Sequence, residues 1–166
     1  MPRKFTAADG LIPEDLIHCG LDHVTASQLL FESDPGHFDA AGYLIHIGVE
    51  LLLKGWLLET TGFFKDTHDL SLLYERLVSQ AAASPLDIKQ RGLLATLDEY
   101  ANLRYPNRKD PTEIGTENLP EIKALIGHIL RSMPKRIEQA LGEIDPVKKT
   151  GRVLMKKRKE DAKSDA

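Results

Sequence analysis

The apolar positions of this chain recur at helical spacing. In the most apolar stretch, Leu44, Ile45, Ile47, Leu51, Leu52, Gly55, Trp56 and Leu58 spread round most of a helix circumference. Such a helix is buried among neighbours on nearly every side. Its polar residues are confined to one stripe. Tyr43, His46, Glu50 and Lys54 are spaced three, four and four residues apart. At about 100° per residue they fall within an arc of roughly 80°. Gly48 and Gly55 lie opposite the stripe, and two glycines on one helical face predict close approach of another helix. The pattern predicts a central helix over roughly 37–60.

Its neighbours follow from the same periodicity. Pro13-Glu14-Asp15 opens a first helix running to about Glu32, with Ile17, Leu21, Val24 and Phe31 on its apolar face. Ser33-Asp34-Pro35-Gly36 breaks the chain. Thr67 or Asp69 caps a third helix over about 68–82, with Leu70, Leu73, Leu77 and Val78 inward. A fourth, over about 86–103, carries Ile88, Leu93, Leu94, Leu97 and Tyr100. Leu119-Pro120-Glu121 starts a fifth that lasts to about Leu141 and is kinked or split by Pro134. Strand alternation is nearly absent. The expected fold is all-α, an antiparallel up-and-down bundle of about five helices. It divides the chain into an irregular arm (1–12), the bundle (13–142) and a flexible tail (143–166).

Charge adds an asymmetry to this plan. The net charge of −3 combines +5 over residues 147–166 with −8 over the first 146. The basic tail suits nucleic acid, an acidic partner or the body itself, or is simply solvated. The acidic body argues against a broad phosphate-binding face and leaves room for a local one. Cys19 is the only cysteine, which excludes an internal disulfide and a cysteine metal cage and points to a reducing cytoplasm. No signal core and no uninterrupted apolar run of membrane length is seen, so no membrane association is expected.

Several chemistries are absent from the sequence. There is no Gly-rich phosphate loop, nucleophile elbow or His-Glu-x-x-His zinc pattern. No Glu has a His three residues later, so a di-iron bundle site is excluded. Neither metal nor cofactor is expected. Cys19 has no evident activating base and reads as a structural thiol.

Asp39-Ala40-Ala41 through Glu50 and Lys54, then Gly62, then Thr67-His68-Asp69-Leu70, and finally Arg104-Tyr105-Pro106 form an ordered set of short motifs. In order and spacing this set resembles the HEPN domain family, over roughly residues 13–142. The resemblance implies a helical bundle that usually dimerises. It implies a nucleotide- or RNA-related role, often as a toxin or ribonuclease paired with a nucleotidyltransferase antitoxin. The family's nuclease signature is an Arg followed four to six residues later by a His. None of the nine arginines here has a His at that spacing.

The resulting expectation is a HEPN-like domain that binds a nucleotide, RNA or a partner protein without cleaving. Its groove would use Tyr43, His46, Glu50, Lys54, His68, Asp69, Arg104 and Arg108. Each has a structural alternative: a helix ion pair for Glu50 and Lys54, a cap for His68-Asp69, a salt bridge for Arg104. Expected partners are a second copy of the chain, a nucleotide or RNA, and a nucleotidyltransferase. Two other readings stand beside this one. A metal-independent ribonuclease would combine Arg104 with His68 or His46. A purely structural module would present Trp56 and apolar faces to a partner.

Overall fold

The computed structural model describes residues 3–33, 35–105, 108–109 and 119–142. The basic tail, Pro106 of the Arg-Tyr-Pro motif and most of the loop before the fifth predicted helix lie outside them. Helix α1 (Pro13–Ser33) packs along α2 (Phe38–Thr61). The contacts run in opposite directions along the two chains. Gly20 and Val24 meet Gly48, while Pro13 and Ile17 meet Gly55. The pair is therefore antiparallel, as the short link between the helices requires.

The glycines are what allow this approach. A Cβ on Gly48 would lie 2.8 Å from Val24 Cγ2 and 2.9 Å from the Gly20 carbonyl oxygen. One on Gly55 would lie 2.6 Å from Ile17 Cγ1 and 2.9 Å from the Pro13 oxygen. Backbone atoms cannot yield as a flexible side chain does, so any larger residue separates the helices. Buried Ser27 adds a cross-helix bond, its hydroxyl donating to the Ala41 carbonyl at 2.7 Å.

Residues 63–65 (Phe63–Lys65) form strand β2, which pairs antiparallel with β1 (Lys4–Thr6). The register sets Lys4 opposite Lys65, Phe5 opposite Phe64 and Thr6 opposite Phe63. Phe5 stacks on Phe64 with ring centroids 5.4 Å apart, and Phe64 is buried in the core. The first residues of the expected arm are thus tied into the fold. Three-residue strands are too short to show alternation, which is why the periodicity misses them.

Helix α3 (Leu70–Ser79) is followed by α4 (Ile88–Glu99), which continues as a 3-10 turn over Tyr100–Arg104. Asp87 and Gln90 form a capping box at the start of α4. That places Ile88 at the first helical position, 82% exposed rather than inward. The fifth predicted helix divides at Pro134 into α5 (Leu119–Ser132) and α6 (Lys135–Gly142). Proline lacks the amide needed to continue the ladder. Arg136 of α6 grips Glu14 of α1 at 2.6 Å and pairs with Glu59 of α2 through two further bonds.

Helix α2 lies at the centre of the core. Ile45, Val49, Leu52, Leu53, Trp56 and Leu57 are fully buried. By length and composition α2 could cross a membrane, but 78% of that window is buried within the protein. Trp56 meets Tyr74 of α3 edge-on at 6.4 Å. With no exposed surface, Trp56 cannot form the partner interface suggested by the purely structural reading.

Candidate functional site

The polar stripe of α2 converges on Glu50. Lys54, one turn on, donates to Glu50 Oε1 at 2.5 Å, and the side chains are only 8% and 9% exposed. The ammonium also lies 5.4 Å from the Phe64 ring centroid, an additional favourable contact for a desolvated cation. Lys54 is therefore committed within the protein and has little surface to offer a ligand.

His46, one turn earlier, is also buried. Its Nδ1–H donates to the Leu97 carbonyl at 2.9 Å. A carbonyl can only accept, so this bond fixes where one ring proton sits. Its Nε2 is 3.7 Å from Glu50 Oε2, beyond hydrogen-bond range. His46 thus tethers α2 to the end of α4.

His68 stands apart in this cluster. It sits in the loop between β2 and α3, and its Nδ1–H donates to Glu50 Oε2 at 3.0 Å. Its side chain is nevertheless 69% exposed. A buried carboxylate thus orients a surface imidazole, with Nε2 turned to solvent. The arrangement is a carboxylate–histidine dyad of the kind that holds an imidazole in one tautomer for hydrogen bonding or proton transfer.

The neighbouring helix start is already filled. Asp69 is the N-cap, its Oδ1 accepting from the Leu72 amide at 2.7 Å. Asp98 of α4 accepts from the amides of Leu70 at 2.6 Å and Ser71 at 3.0 Å, and from the Ser71 hydroxyl at 2.9 Å. The first-turn amides that could have gathered a ligand anion are used by the protein's own carboxylates. His68-Asp69 therefore does not open onto an anion site at the α3 terminus.

Tyr43 is half-buried, while Arg104 and Arg108 are exposed. Among the described residues, no hydrogen bond or ion pair joins any of them to the Glu50 cluster. Arg104 lies 5.4 Å from the ring centroid of its neighbour Tyr105. Four of the expected groove residues, His46, Glu50, Lys54 and His68, are therefore brought together. Cys19 is half-buried, and burial, with Asp22 and Asp15 adding to it, pushes its thiol pKa above the ordinary value. That environment suppresses the thiolate.

A family model for the HEPN domain matches residues 13–133, most of the chain. The chain belongs to the HEPN domain family. HEPN membership fits the all-α architecture and ties the protein to nucleotide- or RNA-related function in general. No curated protein and no solved structure matches the chain. Within this HEPN domain the dyad was only half legible in the sequence. Glu50 is four residues from both His46 and Lys54, whereas the bond to His68 spans eighteen. Asp98 was missed because its role depends wholly on how α3 meets α4.

Proposed function

We propose that this HEPN domain binds a nucleotide or RNA through the solvent-facing edge of His68, without cleaving it. The observation that carries this reading is the Glu50–His68 bond: an exposed ring held at 3.0 Å by a buried carboxylate. Most exposed side chains retain their rotamer freedom. Fixing this one in advance lowers the entropic cost of a polar contact to a ligand. Binding rather than cleavage is supported by the lack of an Arg-to-His motif and by the commitment of Lys54 to Glu50. The test is a titration with mononucleotides and short RNAs against wild type and His68→Gln. Unchanged affinity in a folded His68→Gln protein defeats the assignment.

The dyad also favours a second reading. Because Nδ1 donates to Glu50, a neutral His68 leaves Nε2 to accept a proton, as a general base must. This gives a metal-independent ribonuclease, with Arg104 contributing once RNA is bound. It predicts cleavage in the presence of a chelator and loss on His68→Ala. Intact RNA at high protein concentration removes it.

The proposal includes self-association and a nucleotidyltransferase partner in a toxin–antitoxin arrangement. Leu44, Ile47 and Leu51 are half-buried along one side of α2 and offer an apolar row for a second copy. Light scattering that gives a monomer mass at tens of micromolar opposes the dimer.

A further inference from the structure

The outer face of the β1–β2 ribbon carries a cluster of cations that the dyad does not use. The register places Lys4 directly across from Lys65. Like charges at such cross-strand positions destabilise a sheet. Side chains alternate along a strand, so Lys4, Lys65, Thr6 and Phe63 share one face, opposite Phe5 and Phe64. Arg76 of α3 joins them. Its guanidinium lies 4.5 Å from the Phe63 ring centroid, and Lys4 Nζ lies 4.6 Å from the same centroid. Neither Lys4, Lys65 nor Arg76 has a carboxylate partner among the described residues. By contrast Arg3, Lys89, Lys123 and Arg136 are each paired with an acid.

This face borders a cleft of about 450 Å³. Lys65, Thr67 and Arg76 line it, together with Ser79, Gln80 and the single acid Glu75. Thr67 immediately precedes His68, so the cleft and the dyad share one loop. The cross-strand lysine pair, an arginine without a carboxylate partner and hydroxyl and amide groups make this face cationic and hydrogen-bonding on an otherwise acidic body, with Leu72 and Leu73 adding an apolar part to the cleft.

We propose that this ribbon face and cleft bind the phosphodiester backbone of single-stranded RNA and lead the strand past His68. The proposal rests on the His68 reading for where the strand goes and on the ribbon cations for what holds it. Positive charges without a carboxylate partner interact favourably with a polyanion by releasing its counterions. The Phe63 ring lies beside both Lys4 and Arg76 and gathers the two cations at the ribbon face.

The test uses the full chain and a fluorescein-labelled oligouridylate of about 12 nucleotides, within the span that single-strand sites cover. Affinity is measured across a salt series for wild type, Lys4→Gln/Lys65→Gln and Lys65→Gln/Arg76→Gln, with uridine monophosphate as a second ligand. Each lost phosphate contact lowers the salt slope by about 0.7, so each double variant loses about 1.4 and binds more than tenfold weaker near 0.1 M salt. Mononucleotide affinity stays the same. The Lys4→Gln/Lys65→Gln protein, relieved of its like-charge pair, also melts no lower than wild type, which separates lost binding from lost folding. Unchanged oligonucleotide affinity and slope in both folded variants overturns the ribbon while leaving His68 intact. If His68→Gln binds normally and the ribbon variants do not, the His68 reading fails and the ribbon stands. If wild type binds uridine monophosphate but not the oligonucleotide, the ribbon fails and the His68 reading stands; if it binds neither, both fail.

Discussion

Replacing Glu50 with leucine should destabilise the fold strongly, and adding Lys54→Met should restore most of the loss. The pair is 2.5 Å apart and less than a tenth exposed. At an effective dielectric constant of about 20, their attraction is about 7 kcal/mol. Desolvating two ions costs several kcal/mol each, so the pair contributes little net stability. Glu50→Leu removes the attraction but keeps the desolvation of Lys54, for which only the Phe64 ring remains. The expected loss is about 3–5 kcal/mol, a fall of roughly 6–20 °C in Tm for a domain of this size. The double variant replaces both ions with apolar chains of similar length and should return to within about 1 kcal/mol of wild type. Urea denaturation at constant m measures each difference. A double variant as unstable as Glu50→Leu alone refutes the reasoning, because the cost would then not come from an uncompensated charge. The double variant also removes the anchor of His68, so it should fold well yet lose RNA affinity.

Three further outcomes follow from the packing. Gly48→Ala should cost about 1–2 kcal/mol, because overpacking against the Gly20 oxygen outweighs the helix propensity gained; Gly92→Ala, with no atom within 4 Å of the added Cβ, should stabilise by about 0.5–1 kcal/mol, and equal signs in thermal melts contradict this. Asp98→Ala strips two amides and a hydroxyl at the start of α3 of their acceptor and should cost about 1–2 kcal/mol; loss confined to α3 amides in hydrogen exchange would place the damage there. Hydrogen bonding to Arg136 holds the Glu59 carboxyl below its ordinary value of 4.5, against the opposing effect of burial. A depressed carboxylate stabilises the fold above its unfolded pKa, and that contribution disappears as pH falls through the folded one. Arg136→Ala should therefore flatten the stability profile below about pH 4.5; a parallel downward shift at every pH contradicts the linkage.

The helices were legible because their signals are local. Apolar spacing in α1 and α2, the Ser33–Gly36 break, the Asp69 cap and the division at Pro134 each depend on a few consecutive residues. Gly48 and Gly55 even disclosed which face of α2 meets another helix. Interactions set by distant residues were not legible. The pairing of Lys4 with Lys65 and the reach of Asp98 to Leu70 arise from tertiary placement, with no periodicity to announce them. Ile88 misled because an apolar residue at a helix start has too little helix around it to be buried. The Glu50 cluster itself divided along the same line: His46, Glu50 and Lys54 are neighbours on α2, whereas the exposed partner His68 is brought in by the loop after β2.

The glycine-mediated seam between α1 and α2 also bears on how the chain reaches this structure. Its two helices are consecutive and joined by a short link, so their contacts close small loops at low entropic cost. The ribbon instead joins residues about sixty positions apart, and its closure must await the hairpin that brings them together. Such a topology favours early assembly of α1 and α2, with the N-terminal strand docking last. Substitutions at Gly20, Gly48 or Gly55 should then slow refolding, whereas substitutions in the ribbon should mainly hasten unfolding.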